Sequence, residues 1–177
     1  MRGGEAAKPC GIPARGSATT GVMKERETLI IGWQERVDLP QIGLTGLKAK
    51  IDTGARTSAL HATDIRRFER DDVPWVRFHS RFDDDTRDTD VELPVHDVRE
   101  VTNTGGIPEE RVIVRTQFRL NRRTWTIDVS LTERTEMSFR MIVGRTALRG
   151  HSIVVHPGRR YLTSNAAAPH LTEGPTP

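Results

Sequence analysis

The sequence predicts an all-β fold, a small closed barrel or sandwich with one or two short helices, and three observations lead there. Apolar and polar residues alternate through most of the middle of the chain. Gly, Pro and polar turns recur between the alternating runs, and helical periodicity is scarce.

Taken in order, residues 1–26 are basic and rich in Gly, Ala, Ser and Thr without hydrophobic periodicity, and read as a disordered tail in which Met23 offers an alternative start. TLIIGW and LKAKID then read as strands, and the stretch from Thr57 to about Phe68 as a brief helix. WVRFHS, with the alternating Val91, Leu93 and Val95, suggests two strands around the acidic run at Asp83. Val112, Val114, Thr116, Phe118 and Leu120 alternate with polar residues, as do Trp125, Ile127, Val129 and Leu131. Asn121-Arg122-Arg123 between them is short enough for a hairpin. FRMIVG is a further strand, Arg145 to Leu148 a short helix after Gly144, and HSIVV the last strand, making about eight. Residues 165–177 form a second disordered tail, which leaves one domain over residues 27–164.

Composition narrows the function. No apolar run in the 177 residues approaches the roughly 20 that a membrane helix requires, and the opening segment lacks the apolar stretch of a signal peptide, so a cytoplasmic location is expected. Cys10 is the one cysteine, which rules out an intramolecular disulfide and any multi-cysteine metal site. The net charge is +3, and only four of the 27 basic residues are lysines (Lys8, Lys24, Lys48, Lys50). Arginine favours forked contacts with carboxylates or phosphates. The pairs Arg66-Arg67, Arg122-Arg123 and Arg159-Arg160 are nevertheless scattered among acids and strand residues, so no nucleic-acid partner is expected. Asp83, Asp85, Asp88 and Asp90 lack the glycine and closing glutamate of a calcium loop.

The most specific stretch is Lys48-Ala-Lys-Ile-Asp52-Thr53-Gly54-Ala55, an alternating strand running straight into Asp-Thr-Gly. Gly54 permits a backbone geometry closed to other residues and Thr53 offers a hydroxyl to lock the turn, so Asp52 is expected to be held rigidly. An isolated Asp-Thr-Gly is more often a capped turn in which the aspartate bonds its own backbone. Downstream, Met141-Ile142-Val143-Gly144-Arg145 is an apolar strand ending in glycine, suited to pack beneath that turn.

Asp-Thr-Gly-Ala late in one strand, followed about ninety residues later by two apolar residues and Gly-Arg, resembles the retropepsins, the single-lobed aspartic proteases. More closely, IIGWQERVDLP, KAKIDTGARTSALHA, IPEERVIVRT, FRMIVGRTAL and YLTS resemble a bacterial retropepsin-like aspartic protease family often called ATP-dependent zinc proteases. The resemblance runs from about Leu29 to Ser164. It implies a small acid-protease-like barrel and an association of some members with ATP-grasp ligases that add glutamate tails to a ribosomal protein. It also implies catalysis by Asp52, Thr53 and Gly54. An aspartic protease needs two carboxyl groups sharing a proton, and this chain has one Asp-Thr-Gly, so a homodimer is expected, with Asp52 contributed by each copy.

Retroviral members follow Asp-Thr-Gly-Ala with an aspartate that can pair with the later arginine, whereas this chain has Arg56. Arg56 and Arg145 beside an aspartate pair favour ionised carboxylates and would attract an acidic substrate. Ala55, Arg56, His61 and Arg145 are therefore the expected substrate-binding residues, for a peptide or a glutamate-extended protein tail. Val73 to Val95 falls where a retropepsin carries its flap.

Zinc finds no motif. His-Glu-x-x-His is absent and His61, His79, His96, His151, His156 and His170 show no ligand spacing. No Gly-Lys-Ser/Thr loop exists for a nucleotide, so no cofactor is expected. Two alternatives to the peptidase remain open: a non-catalytic module that docks acidic peptides, and a metal-dependent hydrolase.

Overall fold

The computed structural model describes residues 27–81, 88–102, 108–133 and 138–163. The two tails, Met23, Cys10, His170, Ser164 and the acidic run at Asp83 and Asp85 lie outside the described residues.

Alternation becomes strand wherever a hydrophobic face is available to cover it. In chain order the described elements are β1 (Leu29–Leu39), a 3-10 turn (Pro40–Ile42), β2 (Leu44–Asp52), β3 (Ser58–His61), β4 (Thr63–Arg70) and β5 (Val73–Arg81). There follow β6 (Asp88–Thr102), β7 (Pro108–Leu120), β8 (Arg123–Thr132), β9 (Met141–Gly144), α1 (Arg145–Leu148) and β10 (Ile153–Arg160). Hydrogen-bonded neighbours run β10-β1-β2-β9-β3-β8-β7-β6-β5-β4, and β1 also meets β7. That extra contact pairs Asp38 with Arg119, whose Nε donates to Asp38 Oδ2 at 2.7 Å. The strands β1, β2, β9, β3, β8 and β7 thereby close into a six-stranded barrel. The predicted all-β closed barrel is the observed fold.

β1 is the seam. Its first half, Leu29 to Gln34, runs parallel to β10, while Gln34 to Leu39 runs antiparallel to β2. On the other side of the barrel, β6, β5 and β4 extend from β7 as an antiparallel sheet. The strands expected between Val73 and Val95 are β5 and the start of β6, and Val76, Phe78, Val91 and Leu93 on them are buried in the common core.

The period-two pattern is clearest on β7, where Val114, Thr116, Phe118 and Leu120 are buried and Arg115, Gln117 and Arg119 are exposed. Asn121 makes the turn into β8 with φ +56°, a left-handed conformation asparagine tolerates, and Leu120 pairs directly with Arg123. The expected hairpin forms with two connecting residues.

The helix expected from Thr57 to about Phe68 does not form. Those residues make β3 and β4 instead, because β3 is inserted between β8 and β9 and is buried at all four positions. A strand covered on both faces shows no alternation, and its short apolar run is indistinguishable from a buried helix turn by periodicity. The second helix, Arg145–Leu148, is present as expected. No helix among the described residues is long and apolar enough to cross a membrane.

Candidate active site

β2 delivers Asp52 to the end of the barrel, and the next two residues turn the chain back. Asp52 Oδ1 accepts from the backbone N–H of Gly54 and of Ala55, each at 3.1 Å. The Ala55 N–H also reaches Asp52 O at 3.2 Å. Lys50, two residues earlier and so on the same face of β2, brings Nζ to 3.4 Å from the other carboxyl oxygen, Oδ2. Partial burial pushes the Asp52 pKa up, but the Ala55 N–H, the Lys50 ammonium and the Gly54 N–H outweigh it and hold the group below the ordinary aspartate value.

β9 fixes this turn from beneath. Asp52 pairs with Gly144 across a parallel ladder. A Cβ built on Gly144 would stand 2.6 Å from the Thr57 carbonyl carbon, 2.7 Å from its oxygen and 2.9 Å from Arg56 O, so only glycine fits. Gly144 N donates to Ser58 Oγ at 3.2 Å. Arg145 N donates to Ala55 O at 2.9 Å and Thr146 N to Arg56 O at 3.2 Å. Thr146 Oγ1 adds a 2.8 Å bond to Arg56 O, and Arg145 Nη1 donates to Gly54 O at 2.7 Å. Successive carbonyls from Gly54 to Arg56 are thus all engaged. The loop is clamped while Thr53 and Gly54 stay exposed at its tip. Gly144→Ala is expected to lower stability by about 1–3 kcal/mol, through forced displacement of this loop, in urea unfolding.

Gly54 serves differently from expectation. The positive-φ glycines among the described residues are Gly43, Gly46 and Gly150, whereas a Cβ on Gly54 would come within 3.2 Å of Asp52 Oδ1. Close approach of the carboxyl group, rather than a left-handed backbone, is what glycine allows there.

An aspartate on a strand-end turn, with a Gly-Arg strand and short helix locked underneath inside a six-stranded barrel, is a specific architecture. The family model of the retropepsin-like aspartic endopeptidase RimB matches residues 30–166. The chain belongs to the RimB-like family. Among similar proteins, one from Parasynechococcus marenigrum (strain WH8102) named probable alpha-L-glutamate ligase is 40% identical over 136 residues, covering 76% of this chain and 29% of that protein. A protein of the same name from Desulfotalea psychrophila is 38% identical over 127 residues, covering 71% and 27% respectively. The RimB-like chain therefore spans under a third of the length of these relatives. A crystal structure of a Legionella pneumophila protein of unknown function superposes with a TM-score of 0.67 at 28% identity, covering 77% of this chain and 99% of that one.

Within the RimB-like barrel, Asp52, Thr53, Gly54, Ala55, Arg56 and Arg145 come together, and His61 does not join them. The His61 N–H donates to Arg140 O at 2.7 Å, four residues along the chain from Gly144, or about 13 Å at the rise of a strand. His61 is also buried, and desolvation with the nearby Arg140 charge pushes its pKa down against the opposing pull of Glu133. Arg145 is exposed but commits one N–H to Gly54 O, so it braces the loop. Arg56 is exposed and gives its carbonyl to Thr146.

Lys50, Ser58 and Thr146 are the participants that motif reading passes over. Lys50 carried a signal, since residues two apart on a strand share a face; Ser58 and Thr146 act through a contact between segments about ninety positions apart. Beside Thr53 lies an open groove of about 610 Å³ lined in part by Arg145, Leu148, Arg149, Ile153 and Val155. No group of three His, Cys, Asp or Glu side chains able to hold a metal occurs among the described residues.

Proposed function

We propose that this RimB-like domain is an aspartic endopeptidase working as a homodimer, with Asp52 of each copy forming the acid–base pair. The observation that carries the reading is the lock beneath the turn. Bonds from Gly54 and Ala55 to Asp52 Oδ1 are those of any capped turn, but here Gly144 lies under Asp52, and Arg145 and Thr146 hold the carbonyls of residues 54 to 56 while the tip of the loop stays exposed. One ionised carboxylate takes a proton from water as the oxygen adds to the peptide carbonyl carbon. The partner's protonated carboxyl then donates to the nitrogen as the C–N bond breaks. Like charges in contact cannot both ionise comfortably, so the pair titrates as a unit. The exposed Thr53, the groove beside it and the exposed apolar pair Ile30 and Val154 on β1 and β10 suit a second copy approaching this end of the barrel.

For substrate, the proposal is an acidic, glutamate-extended protein tail. Arg56 and Arg149 are exposed near the turn, and Lys50 and Arg145 add positive charge. The matching segment also recurs within larger proteins named as glutamate ligases. A ligase of that class, consuming ATP, would supply the substrate and is the natural partner activity. The test is mass-spectrometric analysis of a glutamate-tailed peptide and a mixed peptide library, with and without chelator, alongside sedimentation of the protein. Chelator-insensitive cleavage that rises with the dimer fraction is expected. Binding without turnover would favour a docking module for acidic peptides, and loss with chelator a metal-dependent hydrolase.

A further inference from the structure

The two oxygens of Asp52 are treated differently by the fold. Oδ1 is spoken for by Gly54 and Ala55. Oδ2, the oxygen left to share a proton with a second carboxyl group, faces the Lys50 ammonium at 3.4 Å. The pair is half-exposed, with side-chain exposures of 45% for Lys50 and 30% for Asp52, so it is neither locked in the core nor loose in solvent.

We propose that Lys50 is a positioning residue for Asp52, holding the proton-sharing oxygen in the free chain and setting the pH window in which two such carboxyl groups keep one proton between them. The second half of this statement rests on the homodimeric peptidase reading; the first does not.

The surroundings leave Lys50 to this role. Its ladder partners are Gln34 on β1 and Ile142 on β9, neither of them ionisable, and β9 carries no titratable side chain at all. On the neighbouring stretch of β1, Arg36 pairs across from Lys48 and donates to Gly46 O. Tyr161 sits beside Gln34, receiving its Nε2. Asp38, farther along β1, is taken by Gly46 N and Arg119, and Glu35 is buried against Gly32, Leu162 and Thr163. Arg56 from the turn and Arg145 from α1 add positive charge, with Arg145 braced on Gly54 O. Among the described residues, Asp52 is thus the acid that the geometry brings to Lys50.

A cation this close stabilises the ionised carboxylate, so the shared proton leaves at lower pH than it would beside an apolar residue. Lys50→Met removes the charge and keeps most of the stem; Lys50→Arg keeps the charge. Two readouts apply to the full chain, each after a melting curve shows the variant folded. Carbon-13 NMR titration of the Asp52 carboxyl is expected to show its midpoint rising by about one pH unit in Lys50→Met and staying near wild type in Lys50→Arg. Both limbs of the pH–rate profile on the glutamate-tailed peptide are expected to move upward by about the same amount in Lys50→Met alone. An unchanged NMR midpoint in Lys50→Met, or equal shifts in both variants, overturns the role of Lys50. A shifted midpoint with no turnover in any protein upholds the ion pair and instead overturns the peptidase reading.

Discussion

Asp52→Asn is expected to reduce peptide cleavage by at least about 10²–10⁴-fold, the usual contribution of a positioned acid–base group, with the barrel intact. The asparagine carbonyl oxygen can still accept from Gly54 and Ala55, so the turn keeps the bonds that define it. Its NH₂ then points at the Lys50 ammonium, donor against donor, where Oδ2 had faced it. The substitution thus removes the titrating group and leaves the clamp of Gly144, Arg145 and Thr146 untouched. Mass spectrometry of the glutamate-tailed peptide gives the rate, and a melting curve verifies the fold. Stability should also differ in pH dependence. Because Asp52 has a lowered folded pKa, its stabilisation is fully present above the ordinary aspartate value of about 4. It fades as pH falls through the folded value. The stability gap between wild type and Asp52→Asn should close on acidification; a gap that stays constant to low pH would remove the ion pair from the account.

Glu35→Ala is expected to cost about 3 kcal/mol or more of unfolding free energy, the largest stability loss foreseen for a single polar side chain here. Glu35 is 0% exposed. Its Oε1 accepts from Gly32 N at 2.7 Å and Leu162 N at 2.8 Å, and its Oε2 from Thr163 Oγ1 at 2.8 Å. Truncation strands the buried Gly32 N–H and Thr163 hydroxyl, which lose a partner that water cannot readily replace, and also takes the partner of the half-buried Leu162 N–H. Thr163→Val, which removes one donor along with its bond, should cost less, since a satisfied pair is then lost with fewer orphans. Urea unfolding measures both, and equal losses would contradict the arrangement.

Much of this molecule was legible in its sequence because the decisive features are local. Period-two runs on β7 and β8 announce a half-covered sheet, and Asp-Thr-Gly after a strand announces a carboxylate on a turn. The later Gly-Arg was readable as a segment fit to lie underneath, and it does. What escaped depends on partners remote in sequence. Ser58 to His61 looks helical until β8 and β9 enclose it. His61 is expected from the sequence to hold substrate carboxylates alongside the arginines, yet β3 carries it to the opposite end of β9 from Gly144. Arg145 looked like a free fork for carboxylates, and the carbonyl that engages it belongs to Gly54, 91 positions away. The role of Glu35 was hidden for the same reason, its donors Leu162 and Thr163 lying near the far end of the domain.

The seam at β1 carries a kinetic consequence. The first half of β1 is paired by β10, the last strand in chain order, with Leu29 opposite Ile153, and Glu35 is bonded to Leu162 across 127 positions of sequence. Loop-closure entropy must be met before such contacts return anything. The barrel should therefore fold slowly, on the millisecond-to-second scale of proteins dominated by non-local pairing, with the edge of β1 unsatisfied until β10 arrives. Because β1 precedes β10 by most of the domain, the interval before β10 docks is when this edge is most exposed to pairing with another copy of the chain.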